Sequence, residues 1–455
     1  MRAITISSSA LMLSVASAAF ASETVPPIQW IDQFGSSSAD RGRAAAVDSL
    51  GDIYLAYYAS GDIGDGYGGD ANVFLRKYNP AGMVLWTAPL GRSTFDREMS
   101  VVVNGGGDVY VAGTTHGSLS PTGDAFLSKY SSSGSLHWSQ QFGTSSTDFG
   151  FDVCIDGQGN VFVAGLTEGA LNGVNAGGGD AFLVKWDSNG NELWSRQYGT
   201  SGYDFGEGIA ADAAGNVYVT GNTNYGYPIT DIDTLVVKYD SAGAHVWTRE
   251  INAAGHFVGS SDIAVVDDTV YVIGDDLVGI GNWDAFLAAF DTAGNHQSYF
   301  RWGTSGIGLP YDLASDLAVD PSGGLLVTGV TRGNLAAENQ GSQDVFVTRF
   351  DAAGALSWSK QFGTSGTDYG NGVAIDGSGN IYVGGDTTGA LGGPNAGYFD
   401  AYLAKLSFVP EPGAATLALA ACAATAMLRW RSQRKGVSRS ELFSHRPVPH
   451  RDPLQ

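Results

Sequence analysis

Short runs of apolar residues recur along the chain between Trp30 and Phe408, and each run ends near glycine, aspartate or asparagine. Val, Tyr and Phe fill these runs, as in Val161-Phe-Val-Ala-Gly165, and such residues favour strands with buried faces. No apolar period of 3.6 residues, which would indicate an amphipathic helix, survives in this part of the chain. The pattern predicts an all-β protein.

A repeat is marked by a tryptophan followed four residues later by an aromatic residue or leucine, and then by glycine. Two copies are degenerate: Trp247 is followed by Ile251, and Ser298 replaces the tryptophan before Trp302-Gly303. The interval between copies is about 55 residues, a period typical of propeller blades. The complete copies are Trp30…Phe34-Gly35, Trp86…Leu90-Gly91, Trp138…Phe142-Gly143, Trp194…Tyr198-Gly199 and Trp358…Phe362-Gly363.

Each repeat is predicted to hold four short strands. Seven such units without helices predict a seven-bladed β-propeller, because each blade buries its faces only against neighbouring blades. The last repeat ends with residues 400–408 and lacks a fourth strand, whereas a lone tryptophan strand, residues 28–34, precedes the first repeat. We expect these two segments to pair, closing the ring and removing two exposed edges. In the third repeat the predicted strands are residues 148–156, 160–165, 180–187 and 192–198.

Tight Asp-x-x-Gly turns are predicted between the first and second strands and between the third and fourth, as at Asp156–Gly159 and Asp187–Gly190. Aspartate supplies a local side-chain hydrogen bond and glycine a positive φ. Because successive strands alternate in direction, these turns share one face, and longer connections such as residues 167–179 share the other. Variable loops on a regular frame are the usual place for binding. We therefore expect any ligand on the longer-loop face or at the channel mouth.

Composition agrees with this architecture and narrows the function. The 65 glycines among 455 residues are about twice the usual share, as expected for many turns and a crowded inner strand. Of 46 acidic and 24 basic residues, two acids and eight bases lie outside residues 22–412, so that segment has a net charge of −28. Nucleic-acid binding is not expected, because phosphate contacts need a basic face. The two cysteines, Cys154 and Cys422, cannot form a disulfide framework, and Cys154 is predicted to be an inert thiol in an apolar strand.

The N-terminus has the three parts of a secretory signal peptide. Arg2 precedes an apolar stretch of small residues, and Ala19-Phe20-Ala21 offers a cleavage site after Ala21. Residues 1–21 are therefore predicted to be removed, leaving the propeller in residues 22–408.

The C-terminus has the features of a membrane-directed signal. Residues 413–428 carry no charge and would form a helix slightly short of a bilayer core, followed by four basic residues between 429 and 435. The basic cluster should stay cytoplasmic, leaving everything before Pro410 outside. Residues 436–455 form a further basic tail.

Pro410-Glu411-Pro412, the apolar helix and the basic cluster together resemble the PEP-CTERM sorting signal of Gram-negative bacteria. The resemblance, which covers residues 409–435, implies processing near Pro410–Pro412 by an exosortase-type enzyme as partner. It also implies delivery to the cell surface or extracellular matrix. A plain C-terminal membrane anchor is the alternative, and both interpretations give at least transient contact with the membrane.

The repeat itself resembles the bacterial SBBP β-propeller repeat family. The matching stretches are Trp…Phe-Gly-Thr-Ser-Gly, Asp-Gly-x-Gly-Asn-Ile/Val-Tyr-Val and Asp-Ala-Phe-Leu-x-Lys. The resemblance covers residues 28–408 and implies a propeller in a secreted or surface protein. It implies no reaction, because propellers host many functions.

An aspartate recurs near the start of the first strand in six repeats, and the fifth repeat has Phe257 or Gly259 there, depending on the direction of counting. The functional hypothesis is a ring that binds a hard cation such as Ca²⁺ near the channel mouth. The alternative is that each aspartate caps backbone N–H groups of its own Gly-Thr-Ser-Gly turn, which we favour because the motif occurs once per blade. The six residues are Asp40, Asp96, Asp148, Asp204, Asp312 and Asp368.

Signals of catalysis are weak. The five histidines before residue 408 occupy unrelated repeat positions, without the spacing of a zinc site. The Gly-Thr-Ser-Gly strings lie in repeated turns rather than in the strand–elbow–helix setting of a nucleophile. Repeats five and six depart from the pattern, and we interpret these departures as repeat decay. They comprise Asp275, Asp276, Trp283, Arg301 and residues 307–311.

The sequence thus predicts a non-enzymatic, secreted or surface-displayed propeller that binds extracellular polysaccharide or envelope protein and needs no cofactor. Two alternatives stay open. One is a polysaccharide lyase or hydrolase with its site at the channel mouth, which would break the repeat symmetry with a few polar residues. The other is a Ca²⁺-dependent adhesion module.

Overall fold

The computed structural model describes residues 24–63, 72–92, 99–115, 119–120, 123–223, 233–251, 257–279, 281–304 and 311–407. In this part of the chain the regular elements are 28 antiparallel β-strands in seven four-stranded sheets, and no helix is present. The predicted seven-bladed propeller is confirmed.

The strands follow one another blade by blade. Blade 1 holds β2 (Asp40–Val47), β3 (Ile53–Ala59), β4 (Asn72–Tyr78) and β5 (Val84–Arg92). Blade 2 holds β6 (Met99–Val103), β7 (Val109–Thr115), β8 (Asp124–Tyr130) and β9 (Leu136–Phe142). Blade 3 holds β10 (Asp148–Ile155), β11 (Val161–Thr167), β12 (Asp180–Trp186) and β13 (Glu192–Tyr198). Blade 4 holds β14 (Gly208–Ala211), β15 (Val217–Thr223), β16 (Asp233–Tyr239) and β17 (His245–Ile251).

The remaining blades have the same order. Blade 5 holds β18 (Val258–Val266), β19 (Thr269–Gly279), β20 (Asn282–Asp291) and β21 (His296–Trp302). Blade 6 holds β22 (Asp312–Val319), β23 (Leu325–Thr331), β24 (Asp344–Phe350) and β25 (Leu356–Phe362). Blade 7 holds β26 (Asp368–Ile375), β27 (Asn380–Thr387), β28 (Asp400–Ser407) and, as its outer strand, β1 (Ile28–Phe34).

The ring closes through β1 as expected. β1 pairs antiparallel with β28, from Ile28 opposite Leu406 to Phe34 opposite Ala401. The backbone N–H and C=O groups at the edge of β28 are thereby hydrogen-bonded to β1, and neither strand is left as an unpaired edge in this pair. The N-terminal strand completes a blade whose other three strands come from the end of the repeat array.

The first strand of each blade lines the central channel, and its glycines are required by close packing between blades. A Cβ added to Gly208 would lie 2.8 Å from Cα of Asp262 in blade 5. A Cβ added to Gly372 would lie 2.8 Å from the backbone nitrogen of Ala45 in blade 1. The predicted crowding of the innermost strand is thus present, and it accounts for part of the glycine content.

The repeated tryptophan holds adjacent blades together. Trp138 of blade 2 packs on Gly190 in the last turn of blade 3, where an added Cβ would lie 2.9 Å from the indole. Its indole nitrogen donates to the carbonyl oxygen of Ser188 in the same turn at 3.3 Å. The same indole–glycine contact recurs at Trp30–Gly82, Trp86–Gly134, Trp194–Gly243 and Trp247–Gly294.

The tight turns lie on one face, which we call the turn face, and the longer connections lie on the opposite loop face. Asp156 shows the turn chemistry: its Oδ1 accepts hydrogen bonds from the backbone nitrogens of Gln158 and Asn160, both at 2.9 Å. Gly159 has a φ of 82°, as such turns require. Basic side chains from the third strands reach the same face, for example Lys185, whose Nζ is 3.4 Å from Asp156.

The predicted signal peptide and the PEP-CTERM-like segment lie outside the described residues. Among the residues that are described, none belongs to a helix long and apolar enough to cross a membrane.

Candidate binding site at the channel mouth

The predicted aspartates lie on the loop face where each first strand begins, and five of the six are described; Asp96 is not. In each case Oδ2 accepts a hydrogen bond from the backbone nitrogen of the preceding Gly-Thr or Gly-Ser turn, for example from Thr144 to Asp148 at 2.6 Å. Corresponding bonds join Ser36 to Asp40, Thr200 to Asp204, Thr304 to Asp312 and Thr364 to Asp368. A second-strand threonine hydroxyl also donates to Asp204 and to Asp368.

These contacts are of the kind that the turn-cap interpretation requires. Within the described ranges, no group of three or more His, Cys, Asp or Glu side chains is placed to hold one metal ion. Burial raises the pKa of Asp148 and Asp368, partly offset by the turn hydrogen bonds.

In blade 5 the carboxylate lies on the second strand instead of the first. Val258, rather than Phe257 or Gly259, occupies the aspartate position, because it pairs with Asp276 as Asp148 pairs with Thr167. Asp276 is fully buried and accepts hydrogen bonds from Tyr299 at 3.0 Å and Arg301 at 3.2 Å. The backward count gave Gly259 because the turn between β18 and β19 is shorter than in other blades, and the forward count gave Phe257 because one extra residue separates Trp247 from Val258.

The departures in repeats five and six meet at the channel mouth, although we interpreted them as decay. Asp275, Trp283 and Tyr311 line one cavity of about 370 Å³, which is within the range of small-molecule sites. Phe257 contributes a further wall, with its ring 4.9 Å from Trp283. Side chains from β19, β20 and the segment just before β22 converge there, whereas the repeat-decay interpretation gives no reason for them to meet. Residues 305–310 lie outside the described part, and Arg301 pairs with Asp276 and Asp284 instead.

Four aromatic and two arginine side chains extend from this cavity around the mouth to blade 1. Trp283 and Tyr311 form a parallel β-bridge between blades 5 and 6. The guanidinium of Arg332 lies 4.1 Å from the ring centre of Tyr311. Tyr369 follows on blade 7, with its ring 6.1 Å from that of Phe399. Arg41 of blade 1 lies 4.2 Å above Phe399. We call Trp283, Tyr311, Arg332, Tyr369, Phe399 and Arg41 the mouth cluster.

Two carboxyl groups beneath the cluster have raised pKa values. Burial raises the pKa of Asp275 to about 8, although its Oδ1 accepts a hydrogen bond from the Ala314 nitrogen at 2.9 Å. Burial also raises the pKa of Asp386 to about 6, and Arg43 and Arg41 hold it from rising further. The Arg41 guanidinium is 3.5 Å from Asp386. Asp275 is therefore largely protonated at neutral pH and can donate a hydrogen bond.

Three more carboxyl groups lie deeper in the channel. Asp152, Asp262 and Asp316 each follow the bulge of a first strand, at the position that Ala44, Ser100, Gly208 and Gly372 occupy elsewhere. Each bonds to the first strand of the next blade: Asp152 accepts from Ile209 at 2.8 Å, Asp262 from Leu317 at 3.0 Å and Asp316 from Val373 at 2.6 Å. Burial raises all three pKa values, and the proximity of Asp316 raises the pKa of Asp262 further.

We expect the channel acids to make the fold less stable at high pH. Burial raises the pKa of Asp316 from 3.8 to about 6. The folded state therefore binds this proton more tightly than the unfolded state, and the stability it provides is complete below pH 4 and is lost as the pH rises through 6. Asp316→Asn, which imitates the protonated form, should stabilise the protein at pH 8 by about 1–3 kcal/mol and change little at pH 4. Chemical denaturation at both pH values measures this.

Asp187→Asn is the matched control for the pH experiment. Hydrogen bonds from Asn191 lower the pKa of this exposed turn aspartate, so its contribution has the opposite sign. The control should not stabilise the protein at pH 8. Equal responses of the two variants would contradict the assignment of a protonated carboxyl group to the channel.

The mouth cluster was missed because the residues that flank the repeated aspartates were not compared between repeats. Trp283 and Phe399 precede the equivalent aspartates Asp284 and Asp400, and Arg41 and Tyr369 follow Asp40 and Asp368. Cys154 agrees with the prediction of an unreactive thiol, since burial raises its pKa well above the usual value.

Three segments of the chain match a β-propeller repeat family, SBBP: residues 137–171, 193–228 and 357–393. Each segment runs from the fourth strand of one blade past the second strand of the next. The chain therefore carries repeats of this type in blades 2–4 and 6–7.

Two curated proteins are similar to this chain over part of their length. The regulatory protein FlaEY of Caulobacter vibrioides is 24% identical over 400 residues, covering 74% of this chain and 41% of that protein. An uncharacterized WD repeat-containing protein of Acanthamoeba polyphaga mimivirus is 24% identical over 212 residues, covering 42% of this chain and 13% of that protein. The chain thus spans less than half the length of these relatives.

Solved structures of similar shape include proteins of different kinds. A protein of unknown function from Dyadobacter fermentans aligns with a TM-score of 0.45 and 11% identity, covering 84% of this chain and 99% of that one. An ulvan lyase bound to -[GlcA(1-4)Rha3S]- aligns with a TM-score of 0.49 and 9% identity, covering 82% of this chain and 95% of that one. Likenesses at this level carry no information about the ligand of this chain or about a reaction.

Proposed function

We propose that this β-propeller repeat protein is a non-enzymatic binding module that takes an extracellular ligand, a polysaccharide or an envelope protein, at the mouth of its channel on the loop face. The observation that carries the proposal is the mouth cluster. Most of the molecule obeys the repeat, and the repeat is broken where aromatic and arginine side chains of blades 5, 6, 7 and 1 converge.

The chemistry of the mouth suits recognition. Half-buried aromatic rings provide apolar area at low conformational cost, and a few polar groups among them fix orientation. The polar groups of this mouth, Asp275 and Asp386, are themselves held by hydrogen bonds from Ala314 and Asn371. A pre-organised surface of this kind loses little entropy when a ligand binds.

The second candidate function is a polysaccharide lyase or hydrolase at the same mouth. Asp275 favours it, because a carboxyl group with a pKa near 8 beside aromatic rings resembles a general acid in its protonation state. Both functions place the ligand at the same residues and differ in whether a glycosidic bond is cleaved.

Export completes the proposal. The three-part N-terminus, with cleavage after Ala21, and the segment Pro410-Glu411-Pro412 support a secreted or surface-displayed protein processed by an exosortase-type enzyme. A net charge of −28 on residues 22–412 suits a soluble extracellular domain.

A glycan array with purified residues 22–412, which contain the closed ring, tests the proposal. We expect binding to a defined polysaccharide, at least a tenfold loss of affinity in Tyr311→Ala and no loss in the outer-strand control Tyr198→Ala, whose ring is 43% exposed. The ligands recovered after incubation should be intact. Shortened chains would establish the enzyme instead, and equal binding by the two variants would place the site elsewhere.

A further inference from the structure

Resting on the proposed function, we propose that the ligand is an acidic polysaccharide, whose anionic groups pair with Arg332 and Arg41 while its sugar rings lie on the aromatic rings between them. The shared chemistry is an anionic sugar, a uronate or a sulfated residue. This names a ligand class for a protein whose own charge is strongly negative.

Basic residues are scarce in this molecule, and most described ones are engaged in packing on the turn face. Lys185 pairs with Asp156 at 3.4 Å, and Arg349 with Asp320 at 2.8 Å. Lys77 lies 2.9 Å from Asp52 in the same way. The pairing with turn aspartates therefore does not explain why basic side chains are present on the loop face.

Arg332 is the arginine of the mouth that is most available. Its side chain is exposed, its guanidinium lies 4.1 Å from the ring centre of Tyr311, and its backbone nitrogen donates to the Tyr311 carbonyl at 3.0 Å. Among the described residues no carboxylate forms an ion pair with it. A guanidinium fixed by stacking keeps its N–H donors in one plane, which matches the two oxygens of a carboxylate or a sulfate.

Arg41 provides the second cation at the far side of the cluster. Its guanidinium stacks on Phe399, and its contact with Asp386 is long, at 3.5 Å, with 30% of the side chain exposed. Asn371 donates a hydrogen bond to Asp386 at 2.7 Å, so the carboxylate does not depend on Arg41 for all of its hydrogen bonds. Donors of Arg41 thus remain for a ligand.

Tyr369 lies in the electrostatic field of both arginines. Burial and the neighbouring Tyr311 raise its pKa, while Arg41 and Arg332 lower it. The two cations therefore flank one aromatic surface, which suits consecutive residues of a chain whose anionic groups repeat.

The polar part of the cavity completes the site for a sugar. Asn222 and Asp275 line the 370 Å³ cavity beside Trp283 and Tyr311. An amide and a carboxyl group offer donors and acceptors to hydroxyl groups, while the rings contact the apolar faces of sugars. The two arginines lie at the mouth, so the polymer lies across the mouth rather than along the channel.

The test is calorimetric binding of residues 22–412 to three oligosaccharides of equal length: a polygalacturonate, a sulfated glycan and a neutral cello-oligosaccharide. We expect one acidic ligand to bind at least tenfold more tightly than the neutral one, and the acid that binds identifies the anionic group. Arg332→Gln should weaken that binding by about tenfold or more, and Arg332→Lys should recover part of it. Lys360→Gln, on the outer strand of the same blade, removes the same charge and should change affinity less than about twofold.

Other outcomes separate the two proposals. If the neutral glycan binds equally, and Tyr311→Ala but not Arg332→Gln abolishes binding, the mouth binds sugars and the inference about acidic ligands is wrong. If no glycan binds but an envelope protein does so through Tyr311, the proposed function stands and the inference fails. If no ligand responds to either variant, both fail. Thermal melting of every variant, expected to match the parent within about 2 °C, excludes misfolding as the cause.

Discussion

Deleting residues 1–34 is expected to open the ring and to lower the free energy of unfolding by more than about 5 kcal/mol. The deletion removes β1, which pairs with β28 and covers the last blade with Trp30, Ile31 and Phe34. Gln33 also donates to Asp400 at 2.9 Å, as Gln197 donates to Asp180 within blade 3. The exposed edge of β28 should then pair with other molecules.

Denaturant titration followed by tryptophan fluorescence, together with light scattering after size exclusion, measures both effects. The matched control deletes residues 1–26 and keeps β1 intact, including Pro27, whose carbonyl oxygen accepts a hydrogen bond from Ser407 at 3.2 Å. The control should have the same oligomeric state and the same stability as the full chain. A 35–455 protein with an unchanged oligomeric state and an unchanged midpoint would show that closure does not depend on β1.

Replacing Gly165 by alanine is expected to cost more than about 3 kcal/mol, a large effect for one methyl group. Gly165 lies on β11 opposite the bulge of β10, and an added Cβ would overlap the carbonyl oxygen of Phe149. The ring of buried Phe182 blocks the other direction, with its Cζ at 2.6 Å. Neither a backbone oxygen nor a fully packed ring can move away at low cost.

Gly159→Ala separates steric overlap from backbone strain. Gly159 has a φ of 82° in an open turn, with no atom within 4 Å of an added Cβ, so its cost is the strain alone, about 1 kcal/mol. Urea denaturation of both variants compares the two costs directly. Equal destabilisation by the two substitutions would mean that steric overlap with the β10 bulge does not exclude a side chain at position 165.

The channel mouth needs a rigid frame that holds the blades together and residues that can vary with the ligand. The repeat fixes the frame through turn caps such as Asp148 and inter-blade contacts such as Trp138 on Gly190. Arg332, which directly follows the second strand of blade 6, is exposed and lies outside these contacts. A ligand site can therefore change without loss of the fold, which is consistent with the placement of variable residues on a single face.

The sequence by itself determined the strand count, the closing pair and the chemistry of the turns. Each of these depends on neighbours in the chain or on an exact repeat: Asp156 bonds to residues two and four positions later, and Ile28–Phe34 completes an incomplete last unit. Only the tertiary structure decided which departures from the repeat belong together. Trp283, Tyr311, Arg332 and Arg41 are far apart along the chain and meet because the ring brings the ends of different blades to one mouth. The three channel acids likewise converge because the first strands of their blades face one axis.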